Sequence, residues 1–231
     1  MPNIEASQTG VLLVAVAAPK EVSAIRDGLS ESELPVEILE TGVGKSAAAS
    51  AVATRLAVSR HGGPAVLGVL NAGIGGAIPP WGVESLGRAV VAESSVFGDE
   101  GVLTSKGFQP IESLGFGSLG PANAVVPPRG LLARVRPLLD DACVVATVSS
   151  CSGTDGAASE IARRSGARVE AMEGAAAGLA AQRAGVAFLE LRVISNTTGD
   201  RDRQVWRLEA AFKRLREVTT EVARAWLSAQ M

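Results

Sequence analysis

Short, predominantly apolar runs recur along this chain and are separated by longer segments in which small, polar and apolar residues mix. Seven runs are predicted to be strands: residues 11–17, 36–41, 65–71, 89–95, 144–149, 167–171 and 187–194. A continuous apolar run such as the first is typical of a strand buried on both faces. Strands that alternate with helices predict one α/β domain with a largely parallel sheet.

Most of the intervening segments are predicted to be helices. Their expected ranges are 20–29, 46–60, 131–140, 155–165, 173–184 and 204–228. Pro19 suits the first position of the first helix, because its φ is preset and its missing N–H would be unpaired there anyway. One stretch breaks the alternation: residues 97–130 are rich in Gly, Pro, Ser and Phe and predict a long irregular excursion. Loops of that length usually serve a function or an interface.

Composition limits the function classes. The 231 residues, 47% hydrophobic and 20% charged, fit a single domain over 1–231 whose first ten residues are expected to be flexible. A net charge of −2 gives no basic surface for nucleic acid or membrane. No apolar run reaches the roughly 20 residues that span a bilayer, and the polar start does not resemble a secretory signal. Cys143 and Cys151 lack metal-ligand spacing. We expect a cytoplasmic protein without a metal or an organic cofactor.

Two glycine-rich segments follow predicted strands, Gly42-Val43-Gly44-Lys45 and Gly73-Ile74-Gly75-Gly76. Neither completes a dinucleotide fingerprint or a P-loop, since Leu39 occupies the place of the first P-loop glycine. Tight turns that need a positive φ explain each segment equally well on its own. Their shared position at strand ends favours a ligand surface, because ligands of open α/β sheets bind at the carboxyl ends of the strands.

Acid–base chemistry in this chain falls to carboxylates. The single histidine, His61, lies in an apparent surface turn, and no nucleophile is evident. Glu21 and Glu173 each follow a strand at the start of a helix, where a carboxylate points into a crevice. The helix dipole also favours a glutamate in a first turn, and that structural role stays open for both. A second polar strand end, Arg192-Val193-Ile194-Ser195-Asn196, favours a site at the same crevice.

Five motifs in the same order resemble the nucleosidase branch of the purine nucleoside phosphorylase superfamily, over nearly the whole chain. They are Pro19–Val22, Thr41–Lys45, Asn71–Gly76, Val169–Ala176 and Arg192–Asn196. The resemblance implies a three-layer α/β fold with a central twisted mixed sheet flanked by helices. It also implies cleavage of the N-glycosidic bond of a purine nucleoside by a homodimer or a higher homo-oligomer.

The resemblance assigns roles to single residues. Glu21 orients and activates water with help from Arg192, and Glu173 binds the ribose hydroxyls. Asn196 contacts the purine and counts with Glu21 and Arg192 as catalytic. Further substrate-binding positions are Met172, Gly73, Ile74, Gly75 and Ser195. These roles suit the chemistry, because N-glycosidic cleavage passes through an oxocarbenium-like sugar and needs a base for the attacking water.

Asn196 narrows the substrate, because adenine-cleaving relatives carry an aspartate there. An amide cannot protonate N7, but its NH₂ donates to a 6-keto oxygen or to N7, which favours hypoxanthine or another 6-oxopurine. Residues 199–203 with Trp206 resemble the futalosine hydrolases of the alternative menaquinone pathway, which release hypoxanthine from futalosine. Asp200 or Asp202 contacts the base instead if the loop is registered differently. A solvated helix entry explains this charged segment equally well.

Water is the expected acceptor of the sugar. Phosphorylases of the superfamily place an arginine near the position of Asn71, and neither glycine-rich segment contains one, although Lys45 is a nearby cation. Two related enzymes stay open as alternatives: a 5′-methylthioadenosine/S-adenosylhomocysteine nucleosidase, against which Asn196 speaks, and a purine nucleoside phosphorylase. A non-catalytic nucleoside-binding protein is a further alternative. It would not need both Glu21 and Glu173, so the presence of the two carboxylates disfavours it.

The excursion from Phe97 to Pro128 resembles a segment that crosses the dimer interface and closes the 5′ side of the neighbouring site. It contains Phe97, Phe108 and Phe116. An apolar pocket with a cation such as Lys106 would suit the aryl carboxylate that futalosine carries on that side.

Overall fold

The computed structural model describes residues 10–116 and 123–228. The strands are β1 Val11–Val16, β2 Val36–Glu40, β3 Val66–Ala77, β4 Ala89–Phe97, β5 Gly101–Thr104, β6 Gly107–Pro110, β7 Ala124–Val125, β8 Asp141–Thr147, β9 Val169–Ala171 and β10 Phe188–Thr197. The α-helices are α1 Pro19–Leu29, α2 Lys45–Arg60, α3 Arg129–Val135, α4 Asp155–Ser165, α5 Gly174–Arg183 and α6 Leu208–Leu227. The expectation for residues 1–10 falls, except for Gly10, outside the described ranges.

Eight of these strands form one sheet whose hydrogen bonding closes on itself. β3 pairs in parallel with β1 and β10, and β10 pairs antiparallel with β4. β4 continues in parallel to β8, and β8 in parallel to β9. β9 then returns antiparallel to the end of β3 at Gly76 and Ala77. Among the described residues, five of the eight pairings in this sheet are parallel, as the alternation of strands and helices predicted, and the three antiparallel pairings make the sheet mixed, as the family resemblance implied.

Helices cover both faces of the sheet, which confirms the three-layer fold. In β1, Leu12, Val14 and Val16 pack into a core with α1, α3 and α6. The alternate residues Leu13 and Ala15 pack into a second core with α2 and α5. Successive side chains of a strand point to opposite faces, so a continuous apolar run is what a strand between two helical layers requires.

The glycine-rich segment 73–76 is not a tight turn, which was one of the two open interpretations, because β3 continues through it to Ala77. A Cβ built on Gly75 would lie 2.6 Å from Val169 Cγ1, so the missing side chain permits the close approach of β9. The other segment does turn: Gly42 and Gly44 have φ values of 80° and 98°. Glycine composition alone does not distinguish a turn from a tightly packed strand.

The excursion is more regular than predicted. β5 and β6 form a hairpin, and a 3-10 turn at Ile111–Leu114 follows it. Residues 117–122 of the excursion lie outside the described ranges. The helix expected over 131–140 is shorter, because α3 gives way to a 3-10 turn at Arg136–Leu138 that contains Pro137, which has no N–H to continue an α-helix.

Candidate functional site

A cavity of about 810 Å³ opens at the ends of β1, β9 and β10 and beside the last part of β3. The residues predicted for the site that line it are Glu21, Ile74, Gly75, Met172, Glu173, Ser195 and Asn196. Gly73 and Arg192 are not in its lining. The residue segments that the sequence placed at strand ends therefore do converge on one cavity.

Glu21 both holds the start of α1 and lines the cavity. Its Oε2 accepts a hydrogen bond from the Ala18 N–H at 3.0 Å, at the start of α1, and its Oε1 accepts one from the Ile74 N–H at 2.8 Å. The side chain lines the cavity, yet the residue is only 4% exposed. Burial raises the pKa of Glu21, while the Ile74 N–H and Arg192 lower it and Glu173 raises it further. A carboxyl group so placed suits a general base.

Arg192 lies behind the cavity wall among acidic side chains. Its Nε donates to Glu190 Oε1 at 2.8 Å, and its Nη2 lies 3.6 Å from Glu173 Oε2. Its Nη2 also donates to Asn71 Oδ1. Burial by itself lowers the pKa of the guanidinium, but Glu190, Glu173 and Glu21 together raise it above the ordinary arginine value. Arg192 is therefore a fixed positive charge behind the carboxylates that line the cavity.

Glu190 and the Asn71 side chain belong to this network and were not predicted as part of the site. Glu190 also accepts a hydrogen bond from the Ser95 hydroxyl. A Cβ built on Gly174 would lie 2.0 Å from Glu190 Oε2, so only glycine fits at the start of α5. The available signal was a glutamate two residues before Arg192 in a strand predicted to be buried, since i and i+2 share one face.

Glu173 does not cap its own helix, although it stands at the start of α5. Its Oε1 accepts a hydrogen bond from the Gly44 N–H at 3.0 Å, and its Oε2 accepts one from the Met172 N–H at 3.3 Å. The residue is 5% exposed and lines the cavity. These contacts join the corner after β9 to the turn after β2, so the helix-start role is not what holds this carboxylate.

Ser195 and Asn196 lie where β10 bulges against β3, between Ile194 and Asn196. The Ser195 hydroxyl donates to Asn196 Oδ1 at 2.8 Å, and Asn196 Nδ2 donates to the Thr197 carbonyl at 3.0 Å. These two bonds orient the amide. The Nδ2 group has a second N–H, so the amide retains a donor for a ligand in the cavity.

Asp200 and Asp202 are not among the residues that line the cavity. Asp200 accepts a hydrogen bond from the Asp155 N–H at 3.0 Å and pairs with Arg203. These contacts, the Asp155 N–H first, lower the pKa of Asp200. The geometry thus favours Asn196 over both aspartates as the purine contact. Three residues of the same loop do line the cavity: Arg201, Gln204 and Trp206.

The cavity contains a further buried carboxyl group, Glu170, and a thiol, Cys151, to which the sequence assigned no role. Glu170 Oε1 accepts from the Ser152 N–H at 2.8 Å, and its Oε2 accepts from the Ser152 hydroxyl at 2.7 Å. Burial raises the pKa of the Cys151 thiol to about 11, with Glu170 adding to the shift. The thiol is therefore protonated at neutral pH and is a poor nucleophile.

Lys45, the cation closest to the glycine-rich turn, is already paired. It donates to Asp99, lies 3.7 Å from Glu100 Oε1, and stands over the Phe97 ring at 5.2 Å from its centroid. Lys106 lies in the exposed turn between β5 and β6 and does not line the cavity. Neither Lys45 nor Lys106 is thus a free cation at this site, whereas Lys20 and Arg201 do line the cavity.

Two classes of feature are missing from residues 10–116 and 123–228. Within those ranges, no group of three or more His, Cys, Asp and Glu residues is arranged to hold a metal ion. None of the helices described there is long and apolar enough to cross a membrane.

The chain is similar to known proteins over most of its length. A model of the phosphorylase superfamily matches residues 28–228. Futalosine hydrolase of Streptomyces coelicolor is 34% identical over 229 residues, which are 92% of this chain and 94% of that protein. Futalosine hydrolase of Acidothermus cellulolyticus is 39% identical over 166 residues, which are 68% of this chain and 65% of that protein.

The fold is also similar to that of a solved structure. The 5′-methylthioadenosine/S-adenosylhomocysteine nucleosidase of S. pneumoniae, with a transition-state inhibitor, matches with a TM-score of 0.75 at 18% identity. The match covers 94% of this chain and 99% of that one. At this level of identity the similarity concerns the fold, and it agrees with the three-layer architecture.

Proposed function

Since the chain belongs to the phosphorylase superfamily and, within it, to the futalosine hydrolase family, we propose that it hydrolyses the N-glycosidic bond of futalosine. The products are hypoxanthine and dehypoxanthine futalosine, and the reaction is a step of menaquinone biosynthesis. One observation carries the proposal: two buried carboxylates, Glu21 and Glu173, line one cavity and share the charge of Arg192 behind it.

Glu21 acts as the general base. Water attacks C1′ of the ribose, its proton passes to Glu21, and the bond from C1′ to N9 breaks with its electron pair on the purine. The N–H groups of Ala18 and Ile74 hold the carboxylate in place, and Arg192 keeps it ionised against the effect of burial. Proton transfer to a positioned base typically contributes about 10²–10⁴-fold to the rate.

Glu173 accepts hydrogen bonds from the ribose hydroxyls beside Met172. Its negative charge stabilises the oxocarbenium-like sugar, and the fixed contact holds C1′ in line with the water. The Gly44 N–H keeps the carboxylate turned towards the cavity. Two carboxylates thus take two roles, as in other glycoside hydrolyses.

Asn196 stabilises the leaving purine. The departing 6-oxopurine carries negative charge over O6 and N7, and the Asn196 N–H donates to it. Ser195 orients the amide through the hydroxyl that donates to Oδ1. An amide cannot give up a proton, so the purine anion takes its proton from solvent after the bond has broken.

Water is the acceptor in this proposal, because phosphate would need a fork of positive donors. Lys45 is neutralised by Asp99 and Glu100, and Asn71 holds Arg192. The two positions beside the glycine-rich segments therefore offer phosphate no free cation, which disfavours a purine nucleoside phosphorylase. A 5′-methylthioadenosine/S-adenosylhomocysteine nucleosidase shares the fold, and the amide at position 196 is the feature that speaks against it.

Assembly and location are part of the proposal. A homodimer or a higher homo-oligomer in the cytoplasm fits the family and the exposed apolar residues of the excursion, which include Leu103 and Phe116 at 84% and 73% exposure. Size-exclusion chromatography with light scattering measures the mass of the assembly directly.

The deciding experiment is incubation of the purified protein with futalosine, inosine and 5′-methylthioadenosine, each with and without phosphate, followed by measurement of the free base. Release of hypoxanthine from futalosine at a rate that does not depend on phosphate supports the proposal. Release of adenine from 5′-methylthioadenosine at a comparable rate, or a requirement for phosphate, contradicts it.

A further inference from the structure

Glu170 is a buried carboxyl group of the cavity that the reaction scheme leaves without a role. The residue is 4% exposed and lies in the middle of β9. A Cβ built on Gly76 would lie 3.5 Å from Glu170 Cγ and 3.2 Å from Asn196 Nδ2. The two side chains therefore flank the same point of the wall, and both line the cavity.

Glu170 has hydrogen-bonding capacity to spare. Each of its oxygens accepts one hydrogen bond from Ser152, one from the N–H and one from the hydroxyl. An ionised carboxylate offers about four acceptor positions and no donor. Positions therefore remain for a donor on a ligand in the cavity.

We propose that Glu170 is a specificity-determining residue that accepts a hydrogen bond from N1–H of a 6-oxopurine, and this inference rests on the function proposed above. A 6-oxopurine carries the O6 acceptor next to the N1–H donor. The neighbouring Asn196 amide and Glu170 carboxylate present a donor and an acceptor, which complement that edge. A 6-aminopurine carries a donor and then an acceptor, so its N1 would face the acceptor oxygens of Glu170.

Ser195 and Thr197 orient the Asn196 amide, and the N–H that it offers suits O6 or N7 of the purine rather than N1. Burial raises the pKa of Glu170, and its two hydrogen bonds from Ser152 lower it. The ionised carboxylate is an acceptor on both oxygens whichever way it turns. Selection of hypoxanthine against adenine therefore depends on Glu170 as well as on the amide.

Binding of free bases tests the inference without turnover. Calorimetric titration of the whole protein with hypoxanthine, 1-methylhypoxanthine and adenine measures the three affinities. We expect the wild type to bind hypoxanthine about 10- to 100-fold more tightly than the other two, as for one hydrogen bond to a charged group. In Glu170→Gln the new side chain carries an NH₂ donor. Its affinity for hypoxanthine should fall and its affinity for adenine should rise, so that the preference for hypoxanthine is lost.

Ser152→Ala is the matched control, because it removes one contact of the Glu170 carboxylate and keeps the carboxylate itself. It should retain the preference for hypoxanthine. If Glu170→Gln and Ser152→Ala each weakened the binding of hypoxanthine and of adenine equally, the inference would be overturned. Glu170 would then only stabilise the segment 151–153. A wild-type protein that binds 1-methylhypoxanthine as tightly as hypoxanthine would also overturn the inference.

A second variant keeps the inference testable if Glu170→Gln fails to fold. Glu170→Asp keeps the charge, and it should keep the order of affinities even if all of them fall; a reversed order would contradict the inference. Failure of the proposed function would give a different result. If the protein binds hypoxanthine selectively but releases none from futalosine, the proposed reaction is contradicted and the base contact of Glu170 is still supported.

Discussion

Glu21 and Arg192 both approach Gly73: a Cβ on that glycine would lie 2.7 Å from Glu21 Oε1 and 2.6 Å from Arg192 Nη1. The missing side chain leaves room beside β3 for both groups, and Arg192 acts on Glu21 through its charge. Because an opposite charge favours the ionised form of a carboxyl group, Arg192 offsets part of the effect of burial on Glu21.

Replacement of the proposed base should separate catalysis from binding. Glu21→Gln keeps the size of the side chain but removes the proton acceptor, so kcat should fall by about 10²–10⁴-fold. Hypoxanthine binding should stay close to that of the wild type, since Glu21 faces the water and the sugar. Steady-state kinetics and base titration measure the two effects. Glu31→Gln, at an exposed position, is the control, and an active Glu21→Gln enzyme would refute the role.

The pH dependence of kcat/KM should reflect the ionisation of Glu21. Burial raises its pKa above the ordinary value of 4.5, and Glu173 adds to the shift. The base works only when it is ionised, so kcat/KM should fall as the pH drops through the raised pKa. The effect on stability has the opposite sense: the folded state holds this proton more tightly, so the contribution of Glu21 declines as the pH rises from 4.5 through the raised value.

Kinetics from pH 4 to 9 check the acidic limb, and urea unfolding over the same range checks the stability term. An acidic limb that persists unchanged in the residual activity of Glu21→Gln would assign it to another group.

The buried pair of Glu190 and Arg192 should be costly to break. Both residues are 1% exposed, and Glu190→Gln leaves the guanidinium without one of its charged partners. Removal of one partner of a buried pair typically destabilises a protein by about 3–5 kcal/mol. Urea unfolding measures the loss. Glu160→Gln breaks the exposed pair with Arg163 and should leave stability unchanged within error; equal effects of the two variants would contradict the picture.

Gly174 should tolerate no side chain. A Cβ there would lie 2.0 Å from Glu190 Oε2, so Gly174→Ala must displace Glu190 and disturb Arg192. We expect a loss of stability of about 1–3 kcal/mol, typical of overpacking, together with lower kcat. The control is Gly156→Ala, also in the first turn of a helix, where no atom lies within 4 Å of the added carbon. Thermal unfolding and kinetics compare the two; a fully active and stable Gly174→Ala would be contradictory.

Asn196 should affect the choice of purine. Asn196→Asp replaces the donor with an acceptor that faces O6, so kcat/KM for a hypoxanthine nucleoside should fall by about 10- to 100-fold. Asp200→Asn is the control, because Asp200 lies outside the cavity and pairs with Arg203. Kinetics with futalosine and inosine measure both variants. Unchanged kinetics in Asn196→Asp, with a loss in Asp200→Asn, would move the base contact to Asp200.

Local patterns were sufficient for most of the fold. The apolar run that begins at Val11 predicts a strand between two layers, and β1 packs on both faces. Pro19 begins α1 as expected. The excursion was predicted less well, because β5 and β6 are held by pairing with each other and carry no apolar alternation that a sequence would reveal.

The sequence by itself determined the order of strands and helices and the polar segments that end the strands, including Glu21, Glu173 and Asn196. Local spacing contains that information, since hydrophobic period and strand ends are properties of neighbouring residues. Only the tertiary structure decided that Glu190 holds Arg192, that Glu170 flanks Asn196, and that Gly73 is a close approach within β3. Glu170 and Asn196, like Gly73 and its neighbours Glu21 and Arg192, are brought together from distant parts of the chain by strands that pair only once the sheet closes. Glu190 and Arg192 are close in the chain, but their pairing becomes strong only when the closed sheet excludes water from both.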